Sequence, residues 1–137
     1  MAIKSVNDLR VYRLSLELLD PLYGVIYSIP HITIRTQLTK SGEAIPPLIG
    51  EGFARKRNPA DAARFYEMAM AESDEVVVHL QKAIILSRRF PRIPKTACER
   101  LIGRYTELSK QLNSLHKTWR KFAEPANPLI KKKKTAN

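Results

Sequence analysis

The sequence predicts an all-α protein, an up-down-up-down four-helix bundle. Three observations point to it. Apolar residues recur at helical spacing in four long segments. The connections between them are short and carry prolines at Pro30, Pro59, Pro91 and Pro94, a residue that stops helices or opens them. The last segment keeps a heptad-like apolar seam for most of its length. Four such helices with short links bury their stripes by packing antiparallel to one another.

In the first helix, Leu9, Tyr12, Leu16, Leu19, Tyr23 and Ile26 step by three and four, which makes them the expected inward stripe. Asp8 is the expected N-cap. A second stripe of Leu14, Leu18, Leu22 and Val25 lies beside the first; it implies either a wide core face or burial against another subunit. Pro21 should kink the helix by deleting the bond to the carbonyl of Glu17. The second helix is expected from Ile32–Thr33 to about Ala54. Pro46 and Pro47 fall inside it, so it either bends or breaks and restarts there.

The third helix opens after Asn58, with Pro59 at its first position and Asp61 complementing the dipole. Its stripe is Ala62, Phe65, Ala69, Val76, Leu80 and Ala83, and it ends near Ser87. Small residues Ala69, Ala71 and Ser73 should let a neighbouring helix approach closely. Val76-Val77-Val78 favours strand locally, but the flanking helix formers outweigh it. In the fourth helix Ala97, Leu101, Tyr105, Leu108, Leu112, Leu115, Trp119 and Phe122 form the seam. The expected organisation is an extension over 1–7, the bundle over 8–123 and a basic flexible tail over 124–137.

The chain has 137 residues, enough to bury a core as one domain. Its 24 Lys and Arg against 13 Asp and Glu give a net charge of +11. Such a surplus in a small domain points to polyanions: RNA, DNA or an anionic membrane. Cys98 is the single cysteine, which excludes an intrachain disulfide and a thiolate metal cluster and fits a reducing, cytoplasmic setting. The N-terminus has no signal-peptide apolar core, and no apolar run approaches a membrane span, so no membrane role is expected.

Bundle topology gathers the cations at two ends. The first end collects His31, Arg35, Arg88, Arg89, Arg92 and Lys95. The second collects Lys4, Arg10, Arg55, Lys56, Arg57, Lys117, Arg120 and Lys121, with the tail residues Lys131, Lys132, Lys133 and Lys134. The second should carry the larger surplus. Acidic Glu67, Glu72, Asp74 and Glu75 sit mid-bundle. Arginines in turns fork onto phosphates and lysine tails add sequence-blind attraction. The candidate nucleic-acid-binding residues are therefore Arg55, Lys56, Arg57, Arg88, Arg89, Arg92, Lys117, Arg120, Lys121 and Lys131 through Lys134. Ordinary solvated basic loops are the plain alternative.

No phosphate-binding glycine loop, nucleophile elbow or zinc-protease motif is present. Glu75 and His79 share a helix face but lack further ligands, so a hydrogen bond between them is expected rather than a metal site. Cys98 reads as a packed cysteine, and Tyr105 and Trp119 as core. No catalytic residue, metal or cofactor is expected.

Asp8-Leu9-Arg10-Val11-Tyr12 resembles the opening motif of the bacterial four-helix-bundle proteins encoded within intervening sequences of 23S ribosomal RNA genes. Ala44-Ile45-Pro46-Pro47-Leu48-Ile49-Gly50-Glu51-Gly52-Phe53 resembles their second-helix signature, Ser-Ile-Pro-Ser-Asn-Ile-Ala-Glu-Gly. The basic turn, Arg64-Phe65, Ala69 and Glu75 through Leu80 fall in register, and the likeness spans about residues 7 to 122. Pro47 and Leu48 stand where Ser-Asn is usual, and Gly50 where Ala is. The resemblance implies a homopentamer, and it carries over no established enzymatic activity. The same superfamily includes the accessory variability proteins of diversity-generating retroelements, basic pentamers that bind nucleic acid and a reverse transcriptase. Two functions follow as expectations: a non-enzymatic oligomeric RNA-binding bundle, or a protein–protein adaptor such as a reverse-transcriptase accessory subunit. Glu51 and Glu75 match acidic positions of that family and are expected to be structural, Glu75 by pairing with an arginine of another helix.

Overall fold

The computed structural model describes residues 3–124. A 3-10 turn, Val6–Asp8, leads into α1 (Arg10–Glu17), α2 (Leu19–Ile26), α3 (Ile32–Ala54), α4 (Pro59–Leu86) and α5 (Lys95–Ala123). No strand occurs among the described residues. The rod made of α1 and α2 borders α3 and α5, and α4 borders the same two helices from the other side. Four rods therefore close a ring around one core, as the short connections require.

The first rod is interrupted at Leu18, three residues before Pro21. Proline has no N–H for the Glu17 carbonyl. The flanking bonds Leu18 N to Leu14 O (3.0 Å) and Leu22 N to Leu18 O (3.1 Å) survive, so the break is a local jog and Pro21 sits in the first turn of α2. Which face the rod buries differs from the expectation. Val11, Ser15, Leu18, Leu22, Val25 and Ile26 are buried, whereas Leu16 is 44% exposed and Tyr12, Leu19 and Tyr23 are half-buried. The second stripe, open between a wide core face and another subunit, thus belongs largely to the core. Ser15 disguised it: a polar residue at a core position, tolerated because its hydroxyl donates to the Tyr12 carbonyl at 2.7 Å.

Asp8 does not cap α1. Leu9 holds that place, and the Asp8 carboxylate reaches back to accept from the N–H groups of Lys4 (2.8 Å) and Ser5 (3.0 Å). Those backbone bonds hold its pKa below the usual carboxylate value.

The α3 helix runs unbroken through Pro46 and Pro47, resolving the alternative of bend or restart against a restart. Its N-terminus is capped by His31, whose Nδ1 accepts from the Ile34 N–H at 3.3 Å. Two glycines let neighbours come close. A Cβ at Gly42 would lie 2.5 Å from Leu22 Cδ2, and one at Gly52 would lie 2.7 Å from Tyr66 Cε1.

Asn58 caps α4 through its side chain, accepting from the Asp61 N–H at 3.3 Å, with Pro59 at the first position. Ala62, Ala63, Tyr66, Ala69, Ser73, Val76, Leu80 and Ala83 are its buried residues. Tyr66 takes the core position expected of Phe65, which is half-buried. Short side chains let α5 approach: Ser73 Oγ donates to the Tyr105 carbonyl at 2.9 Å and accepts from Ser109 Oγ at 2.9 Å. On α5 the seam holds at Leu101, Tyr105, Leu108 and Leu112. Beyond that it rotates, so that Cys98 and His116 are buried, Leu115 and Trp119 half-buried and Phe122 exposed. Truncating a fully buried residue such as Leu22, Leu38 or Leu112 should cost roughly 2–5 kcal/mol.

Candidate nucleic-acid interface

The connection between α2 and α3 and that between α4 and α5 lie side by side. Arg92 Nε donates across them to the Ser28 carbonyl at 3.2 Å. Beneath, Ile29 and Ile93 are buried and seal the core. Around this seal stand His31, Arg35, Arg88, Arg89, Arg92 and Lys95. Residues 27–36 and 86–97 contain no Asp or Glu, and none of these cations is in a salt bridge among the described residues.

Two helices begin at this end, α3 and α5. Neither has an acidic residue in its first turn, and α5 has no side-chain cap, its N-cap being Pro94. Both helix starts place partial positive charge beside the arginines, while the ends of α2 and α4 at the same end bring partial negative charge. Arg88 and Arg89 follow the C-terminus of α4 at Leu86, where cations are also stabilised. That explains their tolerance there without fixing their direction in solution.

The second end is built differently. Arg55 is clamped: its Nη2 lies 3.1 Å from Glu51 Oε1 and its Nη1 3.5 Å from Asp61 Oδ2. Its guanidinium also lies 5.0 Å from the Phe65 ring centre, and Arg64 covers the same ring at 4.9 Å. Lys56 Nζ sits 4.4 Å over Phe53. Arg57 is exposed, as are Lys117, Arg120 and Lys121 near the end of α5. Asp8, Glu51, Asp61 and Glu124 interleave with these cations. Charge is abundant here, but part of it is spent inside the protein. Lys131, Lys132, Lys133 and Lys134 lie outside the described residues.

A recess of about 350 Å³ opens between α4 and α5 at this end, lined in part by Arg64, Glu67, His116 and Arg120. Its histidine is fully engaged. His116 Nδ1 lies 2.9 Å from the Ala63 carbonyl, which can only accept, so Nδ1 carries a proton; Nε2 faces Glu67 Oε2 at 3.3 Å.

Mid-bundle, Glu75 accepts from Ser41 Oγ of α3 at 3.1 Å, in place of the expected partners His79 or an arginine. His79 Nδ1 is buried without a partner, and burial together with Lys82 lowers its pKa. Burial and the neighbouring Glu75 raise the pKa of Glu72. No group of three or more His, Cys, Asp or Glu among the described residues is arranged to hold a metal. Cys98 is buried, and burial pushes its thiol up to about 11, the reverse of what a nucleophile needs. No helix among the described residues is long and apolar enough to cross a membrane.

Among the described residues, the cations of the connecting segments lie at the ends of the rods to which the short links assign them. Sequence reasoning missed Tyr27, Phe90 and Lys82, which the fold sets among the first-end arginines. No spacing in the sequence marks them, because they lie on different elements. The family model described as 23S rRNA-intervening sequence protein matches residues 7–114. No curated protein and no solved structure matches the chain.

Proposed function

Because the chain belongs to the 23S rRNA-intervening sequence protein family, we propose that it is a non-enzymatic, self-associating bundle that binds nucleic acid, RNA above all, through its basic ends. One observation carries this reading. The first end presents Arg35, Arg88, Arg89 and Lys95, without salt bridges among the described residues, beside two helix starts, with no carboxylate in either connecting segment. Phosphates there meet several cations at once, and each released counterion adds affinity. The family description and the +11 charge support it.

The test is fluorescence anisotropy with labelled RNA over a salt series. Binding should weaken steeply with salt. The double variant R88Q/R89Q should weaken it and flatten the log–log slope by about 1.4, at roughly 0.7 per phosphate contact on a single strand. Arg55→Gln should change it far less, since Arg55 already pairs with Glu51 and Asp61. Absence of binding at low salt would refute the reading.

The assembly we propose is a homopentamer in the cytoplasm, its copies meeting through exposed apolar side chains such as Leu16, Met68 and Val78. Five basic ends about one axis multiply weak contacts. A monomeric mass by light scattering refutes the assembly. The same exposed side chains favour a second reading, an adaptor such as the accessory subunit of a retroelement reverse transcriptase. A pull-down that survives nuclease treatment supports that one instead.

A further inference from the structure

Nine large apolar side chains are exposed among the described residues, and four of them, Tyr27, Ile32, Ile85 and Phe90, stand at the first end. Tyr27 is 71% exposed and Phe90 41%. They flank the Arg92–Ser28 bond, Tyr27 preceding Ser28 and Phe90 lying two residues before Arg92. These aromatics stand at the same end as arginines that make no salt bridge among the described residues.

The second end is the internal contrast. Its aromatics are already occupied: Phe65 lies against Arg55 and Arg64, Phe53 under Lys56, and Phe122 packs edge-on to Trp119 at 5.3 Å. Tyr27 and Phe90 have no cation over their rings among the described residues. Tyr27 has only a tilted neighbour, Tyr23, at 6.3 Å.

Close by, between α3 and α4, a recess of about 270 Å³ is lined by the apolar Ile34, Ile85 and Leu86 and the cationic Lys82 and Arg89. Apolar surface beside cations suits a flat, uncharged group joined to an anion. A nucleotide has that chemistry: a base face for the apolar surface and a phosphate for the cations.

We propose, resting on the nucleic-acid reading above, that this end binds unpaired rather than duplex RNA. Tyr27 and Phe90 stack on splayed bases, the Ile34–Ile85–Leu86 recess seats a further base, and Arg88, Arg89, Lys82 and Lys95 hold the intervening phosphates. Bases in a duplex already stack on one another and cannot offer their faces to protein rings, whereas single strands can. Recognition of this kind tolerates any sequence, because every base has a π-face.

The experiment compares a 15-nucleotide oligo(U), its abasic counterpart and a 15-base-pair RNA duplex by anisotropy at one salt concentration, using the full chain. Oligo(U) should bind at least about tenfold tighter than the other two. Tyr27→Ala and Phe90→Ala should each weaken oligo(U) binding by about five- to a hundredfold, at one stacked base per ring. Duplex binding and the salt slope should not change, and Tyr27→Phe should restore affinity. Both side chains are exposed, so circular dichroism should show these variants folded. Equal affinity for oligo(U) and duplex, or aromatic variants that bind oligo(U) as well as the parent while R88Q/R89Q does not, overturns base stacking and leaves the electrostatic reading standing. Alanine variants that dissolve an oligomer without altering RNA affinity overturn it too, and make the patch a contact between copies. Failure of all three probes to bind removes the nucleic-acid reading itself.

Discussion

Gly52→Ala should destabilise the protein while Gly50→Ala, two residues earlier on the same helix, should stabilise it. Both substitutions exchange the weakest ordinary helix former for the strongest, a gain of about 1 kcal/mol. They differ in what the new methyl meets. At Gly50 nothing lies within 4 Å of the added Cβ. At Gly52 it would stand 2.7 Å from Tyr66 Cε1 and 3.0 Å from Cδ1 and Cζ, about 0.7 Å inside the 3.4 Å at which ordinary contact begins. The Tyr66 ring is 1% exposed and lies 6.4 Å from the Trp119 ring, so it cannot swing clear without moving the core. Overpacking of this kind costs about 1–3 kcal/mol. The propensity gain cancels between the two variants, so their stabilities should differ by about 1–3 kcal/mol. In a chain of this size that is a separation in Tm of roughly 3–12 °C. Urea unfolding followed by circular dichroism measures it. If Gly52→Ala proves as stable as Gly50→Ala, α3 and α4 do not approach as closely as described, and the placement of the basic turn between them must be revised.

Two further variants probe the interior. Burial and Glu75 raise the pKa of Glu72, so at neutral pH the folded state bears a charge it disfavours. Stability is lost as pH rises from the ordinary carboxyl value through the raised one. Glu72→Gln should therefore raise stability at pH 7 by a few tenths of a kcal/mol, a figure kept small by solvent screening, with the gain vanishing near pH 4; a gain that persists at pH 4 would rule out the electrostatic cause. Tyr105 buries its hydroxyl without a hydrogen-bond partner, and burial raises its pKa. Tyr105→Phe should accordingly be neutral or stabilising by about 1 kcal/mol, and a loss above 1 kcal/mol in thermal unfolding would show that the hydroxyl has a partner.

The boundaries of the rods were written locally and could be read locally. Asn58-Pro59, Ser28-Ile29-Pro30 and the Pro91–Pro94 segment act first through backbone chemistry at their own positions. The α5 seam was legible as far as Leu112 for the same reason. Faces were harder. On the first rod two apolar stripes competed, and the buried face includes Ser15, tolerated there because its hydroxyl finds the Tyr12 carbonyl. On α4 two aromatics stood side by side, and Tyr66 was buried because Gly52 leaves room for its ring. Neither fact appears in a count of hydrophobic spacing.

What the sequence determined by itself is the set of helices, their order and the end of the bundle to which each basic segment goes, since caps, prolines and 3.6-residue periodicity are short-range properties. Tertiary structure alone decided which cations remain available. Arg55 is drawn to Glu51 and Asp61, one a turn back along α3 and one across the loop, while Arg88 and Arg89 make no salt bridge among the described residues. It also brought Tyr27 and Phe90, 63 positions apart in the chain, to the same end. A charge acts through its distance from other charges, and that distance exists only once the rods have packed.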